Sequence, residues 1–387
     1  MSIVSMCLTV PVYAQLSNMD KSVSPLTLQA DAIYNDAINP TALGGTEGFG
    51  VGLMAAGGLV STQEAHWWQL DYAVTYEKFK LQQEQIGFSE DPDFYSYNVR
   101  IQSRSFVHKA FTVDVVGAHS QQEQKYGEGI SRFQDDVLAI DTLTRNRAEV
   151  TLVYGSEPSR NAVGAEFFWQ DDSYDDANNY SRLFELNQVG AAAELRLWLA
   201  GRVGFVSRLS IVEDDYAAFE RVDSKLYNAL AGIEWEFSGK SALRLLVGGF
   251  QRDSDDGQNR SGFSWDLSYD YSPSDYQNLT VTSRRTSAVS EVLSASTSVD
   301  VIWGLKWQYA WNDLWSSQAS IDWLDKEIES EQLERSITQF DWGLSIGYNI
   351  SSFQRLMLAL KRRDVSSNDA SIEYEQNEVR LNWYYEF

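Results

Sequence analysis

The sequence predicts an all-β protein: a single transmembrane antiparallel β-barrel, up-and-down in topology, with about 18 strands, or about 16 as the alternative. Three observations predict it. Apolar and polar residues alternate with a period of two in one segment after another, which gives each segment two unlike faces. Aromatic residues make up 13% of the chain, with 13 Trp and 20 Tyr, and Tyr and Trp settle where apolar and wet surroundings meet. The connections alternate between short and longer, as do the periplasmic turns and external loops of such barrels.

In chain order, "MSIVSMCLTVPVYAQ" is apolar and closes on small residues before Gln15. It reads as a signal peptide over residues 1–14, truncated at its charged start because no Lys or Arg precedes it. Cys7 is the one cysteine, and Met6 ahead of it argues against lipid attachment. Residues 15–25 read as a short periplasmic segment, too short for a plug domain, and residues 26–387 as the barrel. "LTLQADAIY" starts the first strand. "HWWQLDYAVTY" then sets Trp68, Leu70, Tyr72, Val74 and Tyr76 against Gln69, Asp71 and Thr75. "SGFSWDLSYDY" repeats the pattern with Phe263, Trp265, Leu267, Tyr269 and Tyr271, and "STSVDVIWGLKWQYAW" with Val299, Val301, Trp303, Leu305, Trp307 and Tyr309. "FDWGLSIGYNI" places Phe340, Trp342, Leu344, Ile346, Tyr348 and Ile350 on one face. Each segment is about ten residues long, the span of a tilted transmembrane strand. Short connections fall at 61–65, 107–110, 155–161, 200–202, 238–241, 272–276, 311–314 and 351–352. Longer ones fall at 39–48, 77–94, 119–145, 170–181, 213–222, 251–260, 287–296, 325–335 and 362–373, which puts both chain ends in the periplasm. The last segment, "VRLNWYYEF", alternates to the final residue and reads as the strand that closes the ring, its apolar face toward lipid. Its Trp383, Tyr385 and Phe387 resemble the C-terminal signal read by the outer-membrane barrel assembly machinery.

Other classes fit less well. Only six prolines are spread along 387 residues and no Gly/Ser/Pro-rich linker divides them, so one large structure is expected. Mean hydropathy is -0.35, and no apolar run reaches the ~18 residues of a membrane-spanning helix. A net charge of -24 excludes a nucleic-acid surface, which is basic. A propeller would repeat at about forty residues. Catalysis is not expected. Of three histidines, His66 and His108 fall at periplasmic turns, and His119 and Ser120 point to opposite faces of one strand, so they cannot act as base and nucleophile. No phosphate-loop or metal-spacing motif is present, and neither a metal nor a cofactor is expected.

A barrel of about 16 to 18 strands leaves an aqueous lumen, so passage is the default function. The inward positions carry Arg100, Arg147, Arg196, Arg208, Arg244, Arg284, Lys306, Arg355 and Arg380, together with Asp71, Asp114, Glu149, Glu166, Asp266, Asp300 and Asp341. Pairing across neighbouring strands would keep this wall wet, and rows of arginine could instead form a ladder for an anionic solute. The longest loop, 119–145, either caps the mouth or folds inward with Asp135, Asp136 and Asp141 facing the channel. Acidic runs such as "QDDSYDDANN" lack the spacing of a calcium loop and suit loose, cation-bridged contact with lipopolysaccharide. Outer-membrane lipid and lipopolysaccharide are the expected surroundings.

The C-terminal half, from "LTVTSRRTS" onward, resembles the β-barrel porin family found in exopolysaccharide-biosynthesis operons. The likeness covers a little over a hundred residues. It is carried by "RRTS" with Arg284 and Arg285, by "LKWQYAWNDLWSSQASIDW", by "RSITQFDWGLSIGYNI", and by "KRRDVSSNDASIEYEQNEVRLNW" with Arg363, Asp364, Ser367 and Asn368. The resemblance implies a barrel that helps a secreted polysaccharide across the bacterial outer membrane, with periplasmic export components as partners. The mixed lumen is less basic than a strongly anionic polymer would require. A general or substrate-specific diffusion porin, and a surface-binding barrel acting through its acidic loops, are the alternatives.

Overall fold

The computed structural model describes residues 23–38, 45–63, 65–82, 91–125, 140–155, 160–175, 179–218, 223–289, 297–329 and 334–387. The strands in chain order begin with β1 (Val23–Asn35), β2 (Gly48–Gln63), β3 (His66–Leu81), β4 (Asp93–His108), β5 (Phe111–Glu123) and β6 (Thr142–Gly155). Next come β7 (Ala162–Tyr174), a helical turn α1 (Asn179–Arg182), β8 (Leu186–Ala200), β9 (Val203–Tyr216), β10 (Ser224–Ser238) and β11 (Ser241–Ser254). The ring finishes with β12 (Arg260–Ser274), β13 (Gln277–Val289), β14 (Thr297–Ala310), β15 (Trp315–Glu329), β16 (Glu334–Asn349), β17 (Gln354–Ser367) and β18 (Tyr374–Glu386). They form one 18-stranded sheet in which each strand pairs with its chain neighbours.

Closure comes from β1 and β18, antiparallel from Thr27↔Glu386 to Asn35↔Glu378. The amide of Phe387 completes the seam by donating to the carbonyl of Leu26 at 2.9 Å. Lipid offers no hydrogen-bond partners, so a spanning sheet must satisfy its backbone by closing on itself.

The strands run 13 to 16 residues, longer than the ten or so that the apolar alternation marks. Most of the extra residues lie at the external ends, where polar and apolar residues share the inner face and the period-two contrast stops although the ladder continues. The external loops are correspondingly shorter than expected, and Val23–Pro25 belong to β1.

Alternation gives the barrel two unlike surfaces. Outward positions expose large apolar residues, among them Phe49, Val51, Leu53, Phe167, Leu209, Phe263, Leu344 and Leu381. Aromatic pairs such as Trp383–Tyr385 and Trp315–Tyr348 stand near the periplasmic end. Buried apolar clusters lie inside the external end: Ile33, Ile38, Phe79 and Phe94; Leu143, Tyr174, Phe184, Leu186 and Tyr216; Ile328, Ile337, Val365 and Ile372. Glycines make room for the first of these. A Cβ on Gly50 would strike the Phe79 ring, and one on Gly48 would strike Ile38.

Candidate functional site

The candidate site is the lumen wall. Register fixes which residues share its inner face. On β6 through β11, four arginines and four glutamates form a lattice. Arg147 holds Glu149 at 2.9 Å, and Arg208 holds Glu166 at 2.8 Å and Glu194 at 3.6 Å. Arg244 bridges Glu194 at 2.7 Å and Glu234 at 2.8 Å, and Arg196 touches the same two glutamates at 3.2 and 3.1 Å. Neighbouring strands lie about 5 Å apart, and the pairs range from two residues of one strand, as in Arg147–Glu149 and Arg196–Glu194, to Arg208 reaching Glu166 two strands away and Arg244 reaching Glu194 three strands away. The lattice is charge-neutral.

A second cluster straddles the closing seam. Arg380 on β18 meets Asp31 on β1 at 3.1 Å, Glu77 on β3 at 2.7 Å and Glu378 at 3.1 Å. Lys125, just beyond β5, pairs with Glu77 as well and lies over the rings of Phe79 and Phe94 at 5.8 and 5.7 Å, an arrangement that adds cation–π attraction. Two cations thus meet three acids. Facing this cluster is a cavity of about 270 Å³ whose far wall carries Asp322, Asp341, Lys361 and Arg363.

The remaining sequence candidates take their places around the ring. Arg100 stands opposite Asp71, whose carboxylate accepts from Gln69 at 2.7 Å. Asp114 pairs with Arg104 at 2.6 Å. Asp266 stands opposite Arg284. Lys306 shares a row with Ser320, Gly343 and Lys361. Asp300 lies 3.8 Å from buried Lys326, Asp341 pairs with Arg363 at 3.2 Å, and Arg355 donates to Ser316 at 2.8 Å near the periplasmic end.

Several pairs escaped the sequence reading: Arg145–Asp172 at 2.5 Å, Arg252–Asp214 at 2.7 Å, and the roles of Asp31, Glu77 and Lys125. Most of them lie in the external extensions of the strands. The signal was present, since Arg145 is two residues before Arg147 and Asp172 is two residues after Gln170.

Asp135 and Asp136 lie outside the described residues. Asp141 is buried at 1% exposure, and Ile140 packs against the Ile33 and Phe79 cluster, so the described ends of this loop turn inward. His119 sits on the outer face, bonded to Tyr97 at 3.0 Å and Asn146 at 2.7 Å. The alanines of β8 join Ala165, Leu209 and Ala229 in an open outward depression.

A closed antiparallel ring with an apolar outside and a charged, wet inside is the pattern of bacterial outer-membrane barrels. No protein-family model matches the chain, and no curated protein matches it. Among solved structures, the chain is similar to OpdK of Pseudomonas aeruginosa with vanillate, at 12% identity and a TM-score of 0.47, over 94% of this chain and 98% of that one. It is also similar to OccK9 (OpdG) of Pseudomonas aeruginosa, at 12% identity, a TM-score of 0.48, and the same coverage of 94% and 98%. A BenF-like porin from Pseudomonas fluorescens Pf-5 is similar at 11% identity and a TM-score of 0.48, again over 94% and 98%.

Proposed function

We propose that the protein is an outer-membrane channel through which small polar solutes diffuse. The observation that carries this reading is the lining. Ionic groups continue around the inner wall, and only a water-filled interior makes so many half-exposed charges affordable. The charges are largely paired with one another, so the lumen stays wet without presenting one sign of charge to its cargo. The narrower reading implied by the sequence resemblance, passage of an exopolysaccharide, requires room for a hydrated chain. The Arg380 cluster, Lys125 and the external apolar clusters all reduce that room, which favours small solutes.

The test is single-channel conductance of the refolded protein in a planar bilayer, with acidic or neutral polysaccharide added in turn. A steady ohmic current indifferent to polymer is expected. A bilayer that stays silent would sink the channel reading, and a current blocked by polymer would move the conclusion to polysaccharide passage.

A further inference from the structure

The backbone ladder between β12 and β13 rises from Ser274↔Gln277 to Trp265↔Arg285 and stops there, although β12 reaches Arg260 and β13 reaches Val289. On their other sides both strands remain paired, β12 with β11 up to Arg252↔Arg260 and β13 with β14 up to Val289↔Thr297. One seam of the wall is therefore open toward the external end, because the upper part of β13 has turned inward. Arg252 of β11 reaches past β12 to Ser287 of β13, donating to its hydroxyl at 3.1 Å and its carbonyl at 3.3 Å. The same guanidinium holds Asp214 at 2.7 Å and Ser224 at 2.6 Å. Val289 packs on the cluster formed by β6 to β9, and Val299 packs on Leu226 and Phe250.

Across the break, side chains replace the ladder. The hydroxyl of Ser264 donates to the carbonyl of Arg285 at 2.6 Å, and the Arg285 guanidinium donates to the carbonyl of Phe263. Outside stand Phe263 and Trp265, ring centroids 5.8 Å apart, at the height where aromatic side chains mark the lipid interface. Inside, the Phe250 ring lies against Gly262 and joins Leu226 and Val299 in an apolar surface beside an otherwise polar wall.

Backbone pairing is what seals a barrel against lipid, and a seam held by two side-chain bridges opens at lower cost than one held by a ladder. We propose that the β12–β13 seam is a lateral portal through which a single-chain amphiphile moves between the lumen and the outer leaflet. Phe263 and Trp265 receive the tail outside, Leu226, Phe250 and Val299 receive it inside, and the polar wall takes the head. In this structure the portal is shut by the Arg285 bridge and by the inward arm that Arg252 latches. This route is separate from end-to-end diffusion.

The experiment places single cysteines in a Cys7→Ser background of the full chain, reconstituted in liposomes carrying N-dodecylmaleimide dissolved in the bilayer. Phe250→Cys should be labelled at least tenfold faster than Val206→Cys, a luminal position on β9 with 0% exposure. Val299→Cys gives the same reading if the loss of Phe250 impairs folding. Replacing both bridges, Ser264→Ala with Arg285→Ala, should speed labelling several-fold further. Equal rates at Phe250→Cys, Val299→Cys and Val206→Cys, or no response to loss of the bridges, would overturn the portal. Ion current through the same preparations reads the diffusion channel separately, so either conclusion can fail while the other stands.

Discussion

Arg380 ties together three acids from two ends of the chain, and two of them, Asp31 and Glu77, are only 6% and 5% exposed. Removing the guanidinium would leave Asp31 to the neutral Gln29 amide and Glu77 to Lys125, and breaking a buried pair by deleting one partner costs about 3 to 5 kcal/mol. Arg380→Ala should therefore lower the midpoint of urea unfolding in lipid vesicles by a margin that Glu378→Gln, which leaves the other pairs intact, does not approach. Outside the membrane, Asp369 caps the 3-10 turn Ala370–Ile372 by accepting from the Ser371 amide at 3.1 Å. Bonds from the Ser371 hydroxyl and amide, with Arg335 beside it, hold its carboxyl below the usual carboxylate range. A depressed folded value means that the contribution is present above the unfolded pKa, near 4, and is lost as pH falls through the folded one. The protection factor of the Ser371 amide, its exchange rate relative to an unstructured amide at the same pH, should be high at pH 7 and fall below about pH 4. An unchanged protection factor would show that the cap does not depend on the charge.

The elements of the barrel were legible wherever one face met lipid. "HWWQLDYAVTY" and "SGFSWDLSYDY" announce β3 and β12 because water and hydrocarbon impose opposite preferences on successive residues. The external ends were not legible: from Arg145 to Leu143 in β6, or from Asp172 to Tyr174 in β7, polar and apolar residues both face inward, and the period of two loses its contrast. The parity of the lumen residues followed from the apolar face alone. Their partners did not, because pairing depends on register between strands, and Arg244 meets Glu194 from three strands away. At the Arg285 seam the alternation lapses, since "VTSRRTSAV" sets five polar residues from Ser283 to Ser287 in a row, but such a lapse does not by itself distinguish a broken ladder from the end of a strand. The glycines of β2 make a sharper test of an element. Gly50→Leu must displace the Phe79 ring, and overpacking costs about 1 to 3 kcal/mol. The variant should lose stability by that amount, whereas Gly117→Leu, where nothing crowds the added Cβ, should not.

At the scale of the whole molecule, the wall divides into a neutral Arg/Glu lattice on β6 to β11 and a more open row on β14 to β17, where Lys306 and Lys361 face the water. Ion preference should be set by the open row, since charges already paired contribute little net field. Lys306→Glu with Lys361→Glu should move the reversal potential in a salt gradient toward cation selectivity, and an unchanged potential would show that ions pass elsewhere. The β1–β18 seam has a mechanical meaning as well. Because the first and last strands are neighbours, tension applied at Phe387 meets the hydrogen bonds of β18 at one end and breaks them in sequence, as a zipper opens, rather than all together in shear. Extraction from the membrane by that end should proceed hairpin by hairpin around the ring, with each released pair leaving the next strand as a fresh edge.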